Sequence, residues 1–100
     1  MAKKSILQED KERCFLCGMS RSIEPLDLHH VFNKSDKKKS EKFGLIVYLH
    51  HRRCHIFGSE SVHQNAEVNK RVKAHAQRMA MEQYGWSVEE FIKEFGRNYI

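Results

Sequence analysis

The stretch LHHRRCH, residues 49–55, places three histidines and one cysteine at the end of an apolar run, residues 45–49. The apolar run contains β-branched residues and predicts a strand. Residues 50–57 have no strand character and predict the start of a helix. Histidine and cysteine are common zinc ligands in proteins, so this strand-to-helix junction is the first candidate for a metal site.

A second pair of candidate ligands lies upstream in Cys14-x-x-Cys17, where two thiolates can reach one tetrahedral zinc ion. Residues 13–18 predict a knuckle, a tight turn at which Gly18 is free to take a positive φ. His51-x-x-Cys54 repeats that spacing and completes a predicted structural zinc site of Cys14, Cys17, His51 and Cys54. The spacing His50-x-x-x-Cys54 keeps His50 open as an alternative to His51. The other interpretation of the first two cysteines is a redox pair, but the sequence has no βαβ pattern of the kind that usually carries one.

Length and composition agree with a zinc-stapled domain. The chain has 100 residues, which predicts a single domain with a modest core. Its three cysteines are an odd number and disfavour a closed disulfide framework. No apolar run predicts a signal peptide or a membrane span. We therefore expect a reducing, cytoplasmic setting, where paired cysteines bind metal more often than each other.

The region around the candidate zinc ligands predicts a small sheet. Residues 26–32 alternate well enough for a strand, which could pair antiparallel with the strand at residues 45–49. Residues 33–42 between them predict a polar loop. The zinc-stapled part of the domain is expected to cover about residues 13–60.

The rest of the chain, at about residues 62–96, predicts two helices. The first covers roughly residues 62–84 and the second follows a capping box formed by Ser87 and Glu90. Their apolar stripes are Val68, Val72, Ala76, Met79 and Tyr84, and Val88, Phe91, Ile92 and Phe95. Together with the strands, these helices predict an α+β, mostly helical fold that forms one domain over residues 1–100.

A second group of histidines remains after the zinc site is assigned. His29 and His30 are neighbours on a strand, so their side chains should point to opposite faces. One could then bind a metal ion while the other activates water. His55 follows Cys54 on a helix, which turns it about 100° away from the zinc, and His63 could return to the same place. The alternative is that these are partly buried polar or surface residues.

The net charge of +5 and the pI of about 9.2 favour a polyanionic partner, with nucleic acid first. Phosphate contacts are sequence-independent and weaken with salt. The alternative for each cation alone is a solvated side chain. The candidate DNA-binding residues are Lys34, Lys37, Lys38, Lys39, Arg52, Arg53, Lys70, Arg71 and Lys73.

Several segments in order resemble the HNH (ββα-metal) endonuclease family, in particular its small zinc-containing members from bacteriophages and prophages. The resemblance covers residue 14 to the C-terminus, and it rests on the order and spacing of the segments together. They are residues 14–17 (CFLC), 28–32 (LHHVF), 40–45 (SEKFGL), 49–55 (LHHRRCH), 62–65 (VHQN) and 95–99 (FGRNY).

The resemblance implies a ββα-metal core and a metal-dependent DNA endonuclease acting in a bacterial host cell. His30 would be the general base, and His29 and His55 would bind the catalytic metal, with the coordination completed by His63 or by water and phosphate. The implied catalytic ion is Mg²⁺ or Mn²⁺, with Ni²⁺ or Zn²⁺ as alternatives, beside the structural Zn²⁺. The products would be 5′-phosphate and 3′-hydroxyl ends.

The sequence departs from the family at the middle asparagine, which should lie near Leu45 or Ile46. Asn65 or Asn33 is expected to take over its orienting role, with Asn65 preferred. The rival interpretation is a zinc-containing module that binds DNA or another protein without cutting. A partner protein, the form of the DNA substrate and the oligomeric state are left open.

Overall fold

Two antiparallel strands join the two histidine-rich stretches of the chain. The structure is a computed structural model that describes residues 5–32, 36–56 and 61–100. Within it the chain forms a small α+β fold with a two-stranded sheet. Its elements in order are β1 (Leu26–His30), α1 (Lys37–Lys42), β2 (Ile46–His50), a π-helical segment (His51–Ile56), α2 (Ala66–Tyr84) and α3 (Val88–Phe95).

The register of the sheet decides which side chains share a face. Leu26 pairs with His50 at one end and His30 pairs with Ile46 at the other, so β1 and β2 are fully matched. Because side chains alternate along a strand, Asp27 and His29 lie on one face and His30 on the other. The prediction of an antiparallel pair is confirmed, with each strand bounded slightly differently from the expectation.

Residues 37–42 correct the prediction of a polar loop, because they form α1. The buried side chain of Ser40 explains why this polar stretch is ordered. Its hydroxyl donates to the carbonyl of Phe32 at 2.6 Å and accepts from the Phe32 amide at 3.1 Å. Lys39 fastens the helix further, since its Nζ donates to the Glu94 carbonyl at 2.7 Å.

Helix α2 begins at Ala66, after Asn65 and four residues later than predicted. The Asn65 side chain caps it by accepting from the amides of Glu67 and Val68 at 3.0 and 3.2 Å. Gly85 ends it in the left-handed region at a φ of 67°. The buried face is Val68, Val72, Ala76, Gln77 and Ala80.

The predicted stripe of α2 was wrong at its C-terminal end. Met79 is half-buried and Tyr84 is exposed, because the buried row continues from Ala76 to Ala80 at a spacing of four. No helix in the described part of the chain is both long and apolar enough to cross a membrane.

Helix α3 has the predicted capping box, in which Ser87 and Glu90 bond reciprocally. Phe91 and Phe95 of α3 are buried, and their rings lie 5.5 and 4.6 Å from the ring of Phe32, which comes two residues after the end of β1. Val88 and Ile92 are only half-buried. Aromatic packing therefore fixes α3 against the end of the strand that carries His29 and His30.

Candidate metal centres

Three cysteines and one histidine come together beside the sheet. Cys14, Cys17, His50 and Cys54 each offer one ligand atom, and these atoms all lie within 4.8 Å of one another. Cys14, His50 and Cys54 are buried, whereas Cys17 is exposed. A set of three cysteines and one histidine is a known structural zinc site, so this cluster is compatible with a structural metal such as zinc.

The turn that presents the first two cysteines has the predicted form of a knuckle. The Gly18 amide donates to the Cys14 carbonyl and the Cys14 amide donates to the Met19 carbonyl, each at 2.9 Å. Gly18 has a φ of 74°, in the left-handed region that favours glycine. The backbone thus turns tightly enough to bring Cys14 and Cys17 to one side.

The fourth member of the cluster is His50, which corrects the expectation of His51. His50 is fully buried, and its Nδ1 lies 3.2 Å from the Cys17 Sγ. Its Nε2 lies 3.0 Å from the Ser20 carbonyl, which can only accept. The Nε2–H therefore donates, and the Nδ1 lone pair faces the sulfur atoms. This second hydrogen bond orients the ring as metal-binding histidines are usually oriented.

Helical spacing explains why the neighbouring histidine is not used. Residues four apart lie on the same side of a helical turn, which pairs His50 with Cys54 and His51 with His55. His51 is exposed, and its Nδ1 lies 2.6 Å from the Asp27 Oδ2. The spacing His51-x-x-Cys54 favoured His51 as the ligand, but the helical turn that follows β2 favours His50.

The pKa values of the clustered cysteine thiols are consistent with a metal-binding site. Burial and the neighbouring Cys14 and Cys17 thiols raise the pKa of Cys54 to about 12. Burial also raises the pKa of Cys14, but hydrogen bonds from the backbone of Cys17 and His50 outweigh it and lower the pKa overall. Three such close sulfur atoms can all become thiolates only if a metal cation balances their charge.

A second cluster contains three histidines and lies around the end of β1. The ligand nitrogens of His29, His55 and His63 all lie within 4.8 Å of one another, so these residues could hold a metal ion. His55 Nε2 and His63 Nε2 are 3.2 Å apart. His63 reaches this position because its amide donates to the His55 carbonyl, beside a parallel bond from Val62 to Cys54. We call this set the histidine trio.

His29 has the clearest need for a ligand. It is 4% exposed, and its Nε2 is buried with no hydrogen-bond partner among the described residues. Burial, followed by the nearby His55 and His63, lowers the pKa of His29 to about 3, so the ring is neutral. An unsatisfied buried polar atom is costly. A metal ion between the three rings would satisfy it, which makes the trio a fitting cation site.

Asp27 orients the second member of the trio and was not predicted. Its Oδ2 lies 2.9 Å from His55 Nδ1 and 2.6 Å from His51 Nδ1. Burial opposes ionisation of Asp27, but the hydrogen bonds from His55 and His51 outweigh it and lower its pKa. The bond to Nδ1 leaves the His55 Nε2 for the trio. The available signal was strand alternation, which puts Asp27 on the same face as His29.

His30 lies in the same cavity as the trio although its position in β1 alternates with that of His29. The cavity has a volume of about 210 Å³ and is lined by Leu28, His29, His30, Lys37, His55 and His63. The two neighbours share it because β1 ends at His30. His30 Nε2 lies 2.6 Å from Glu41 Oε1, a contact that the sequence did not predict. The only hint was the acidic residue in the segment before β2.

Asn65 is placed at the N-terminus of α2, where its side chain oxygen caps the helix. This position gives it a structural role whatever else it contacts. Asn33, the alternative to Asn65, lies outside the described residues, as does the candidate DNA contact Lys34. Within the described part of the chain, the side chain seen to pair with the predicted base is that of Glu41.

The remaining basic candidates are spread over the surface. Lys37 lines the cavity of the trio, while Lys39 is fastened to the Glu94 carbonyl. Lys70 and Lys73 line one groove beside α2 and Arg71 lines another. Lys38, Arg52 and Arg53 are exposed.

The fold and the two clusters together define a small α+β domain with a ββα-like arrangement. Asp27, His51 and His55 form a further group that shares His55 with the trio, so the described part of the chain has three groups that could hold a metal ion. No family model, no characterised protein and no solved structure matches the chain. The functional assignment therefore depends on the chemistry of the residues.

Proposed function

We propose that this protein is a metal-dependent DNA endonuclease of the HNH (ββα-metal) kind, which hydrolyses phosphodiester bonds. One observation carries the proposal: the buried His29, with its unsatisfied Nε2, faces His55 and His63 in the cavity that also contains His30. A zinc-stapled binding module would need the cysteine cluster but would have no use for this second arrangement.

In this proposal the two clusters have separate tasks. Cys14, Cys17, His50 and Cys54 would hold a structural Zn²⁺, which contributes on the order of 10 kcal/mol to folding at sites of this type. The histidine trio would hold the working divalent ion. When bound, that ion stabilises negative charge on the phosphate and on the leaving 3′ oxygen. Because imidazole ligands suit transition metals better than Mg²⁺, Mn²⁺ or Ni²⁺ is favoured over Mg²⁺ at this trio.

His30 is assigned as the general base, and Glu41 selects its tautomer. An ionised carboxylate can only accept, so at 2.6 Å the His30 Nε2–H donates to Glu41. The Nδ1 lone pair is then available to take a proton from water. Glu41 thereby orients the ring of His30, which is the role expected of the middle asparagine in the HNH family. It also stabilises the imidazolium that forms when His30 takes the proton.

The reaction is a displacement at phosphorus. His30 removes one proton from a water molecule while the water oxygen forms a bond to the phosphorus. The bond between phosphorus and the 3′ oxygen breaks, and that oxygen leaves with the bonding electrons and takes up a proton. The products are a 5′-phosphate and a 3′-hydroxyl. Lys37, which lines the cavity, is suited to hold a non-reacting phosphate oxygen.

The test is nicking of a supercoiled plasmid by protein that retains zinc but has lost the ion of the trio. Mn²⁺, Ni²⁺ or Mg²⁺ is then added to the wild type, to His30→Ala and to His75→Ala. His75 is the matched control, because it lies on α2 outside the cavity. We expect metal-dependent nicking that falls by roughly 10²- to 10⁴-fold in His30→Ala and persists in His75→Ala.

The opposite result is equally informative. If the folded, zinc-loaded wild type binds DNA but nicks it with none of these ions, the endonuclease proposal is wrong. The chain would then be better described as a zinc-containing module that binds DNA without cutting it.

A further inference from the structure

A second polar cavity lies beside α2, and none of the ligands of the two clusters lines it. Its volume is about 490 Å³, and it is formed by the first half of α2 and the segment that follows α3. The polar side chains that line it are Asn69, Lys70, Lys73, Arg97, Asn98 and Tyr99. None of the described side chains lining it is acidic, so the cavity is suited to an anion.

Two cations converge on one aromatic ring in this cavity. Lys73 Nζ lies 5.5 Å and Arg97 Cζ lies 5.3 Å from the centroid of the Tyr99 ring. Cation–π attraction holds each of them beside the ring. A phosphate can accept from a lysine and from the guanidinium fork of an arginine.

The wall formed by the C-terminal segment is fixed by a buried side chain. Gln77 of α2 is fully buried, and its Oε1 accepts from the Tyr99 amide at 2.7 Å. Its Nε2 donates to the Asn98 Oδ1 at 2.8 Å. A buried amide that is satisfied on both sides holds the segment in one position. Arg97 and Tyr99 are therefore pre-organised, which lowers the entropic cost of binding.

This cavity neighbours the catalytic one along the chain. Ala66, which lines it, comes only three residues after His63 of the trio. A DNA strand with one phosphate beside Lys37 could therefore continue past Lys73. Arg71 is excluded from this path, because it lines a separate, largely apolar groove with Phe15 and His75.

We propose that the cavity around Lys70, Lys73 and Arg97 is a phosphate-binding subsite for the DNA backbone, next to the scissile position. This inference rests on the proposed function, since it assigns the direction in which the substrate strand leaves the histidine trio. Such a contact positions the strand and carries no sequence preference.

The test measures binding of fluorescently labelled DNA, single-stranded and duplex, by zinc-loaded protein without a catalytic ion, so that no cutting occurs. Lys70→Gln and Arg97→Gln are compared with Arg78→Gln. Arg78 is the matched control, because it is exposed on the same helix as Lys70, does not line the cavity, and its replacement changes the net charge equally. We expect Lys70→Gln and Arg97→Gln each to weaken binding several-fold and to lower the salt slope by about one.

Arg78→Gln should leave both quantities nearly unchanged. The proposal is overturned if Arg78→Gln weakens binding as much as the other two, since net charge alone would then explain the effect. It is also overturned if Lys70→Gln and Arg97→Gln bind like the wild type, or if the wild type does not bind DNA. Because binding is measured without cutting, failure of the subsite and failure of the nuclease are separate results.

Discussion

Glu41 Oε1 lies 2.6 Å from His30 Nε2, which joins helix α1 to the last residue of β1. The contact crosses between two elements that the sequence predicted as a loop and a strand. In the proposed mechanism it determines which nitrogen of His30 is free to act as the base.

Removing this carboxylate should therefore slow cutting without unfolding the protein. We expect Glu41→Ala to lower the nicking rate on the order of tenfold or more, because oriented histidine partners of this kind are typically worth 10- to 100-fold. Glu41→Gln keeps an accepting oxygen and should retain more activity. Glu82→Gln, at an exposed position of α2, is the control, and equal activity of Glu41→Ala and Glu82→Gln would refute the role.

The two adjacent histidines after β2 offer a matched pair for the zinc site. His50→Ala should release zinc to a weak chelator and lower the melting temperature, because it removes one of four ligands from a site that contributes much of the folding free energy. His51→Ala should keep one zinc per chain, since its exposed ring lies beside Asp27. Metal analysis after dialysis measures both, and loss of zinc from His51→Ala alone would restore the original prediction.

Asp27 should control the affinity of the trio for its ion. Asp27→Asn replaces the oxygen that accepts from His55 with an amide of the same shape, which weakens the orientation of the ring. We expect the affinity for Mn²⁺ or Ni²⁺ to fall roughly 10- to 100-fold, as measured by calorimetric titration. The zinc content should not change. Unaltered Mn²⁺ and Ni²⁺ affinity would show that Asp27 has no influence on the trio.

Acid should destabilise the protein through His29 when the trio holds no ion. The ordinary pKa of 6.5 applies in the unfolded chain, and burial among histidines lowers it to about 3 in the fold. The unfolded state thus binds the extra proton between these values. The stability contributed by neutral His29 is complete above pH 6.5 and is lost as the pH falls toward about 3.

Denaturant unfolding of the wild type and of His29→Gln across this pH range checks the effect. The wild type should lose more of its free energy of unfolding than the variant as the pH falls. If both lose the same amount, titration of His29 does not explain the acid sensitivity.

Asn65 tests whether a predicted catalytic residue is a helix cap. Asn65→Ala should cost about 1 kcal/mol of stability, because two amides of α2 lose their acceptor. Asn65→Asp keeps the cap and should keep both the stability and the nicking rate. Loss of nicking in Asn65→Asp, with an unchanged melting temperature, would instead favour a catalytic role.

The parts of the fold that follow local rules could be predicted from the sequence. The capping box at Ser87, the turn at Gly18 and the strand pair all depend on neighbouring residues, and all are present. Helix α1 could not be predicted, because its stability depends on the Ser40 hydroxyl meeting the distant backbone of Phe32. Helix propensity alone cannot predict a contact between residues so far apart in the chain.

In the candidate site, too, the residues that follow local patterns could be predicted, and those that depend on distant partners could not. Strand alternation and helical rotation pointed to a second site involving His55 and one of the two adjacent histidines, and the family resemblance added His29 and His63. The structure brings the nitrogens of His29, His55 and His63 together. The choice between His50 and His51 depended on the residue at which β2 ends. A shift of that end by one residue would exchange the positions of the two histidines. Asp27 and Glu41 could not be predicted, because no sequence pattern distinguishes them from the other acidic residues. Only the contacts with their histidine partners do so.

The π-helical segment couples the cysteine cluster to the histidine trio. Cys54 and His55 are consecutive residues, yet one belongs to the cysteine cluster and the other to the trio. Fixing the backbone at Cys54 therefore also sets the direction of His55. Under the proposed function, zinc at the cysteine cluster would hold His55 in place for the second ion, so a cell short of zinc would make a protein with a weaker second site however plentiful manganese or nickel is.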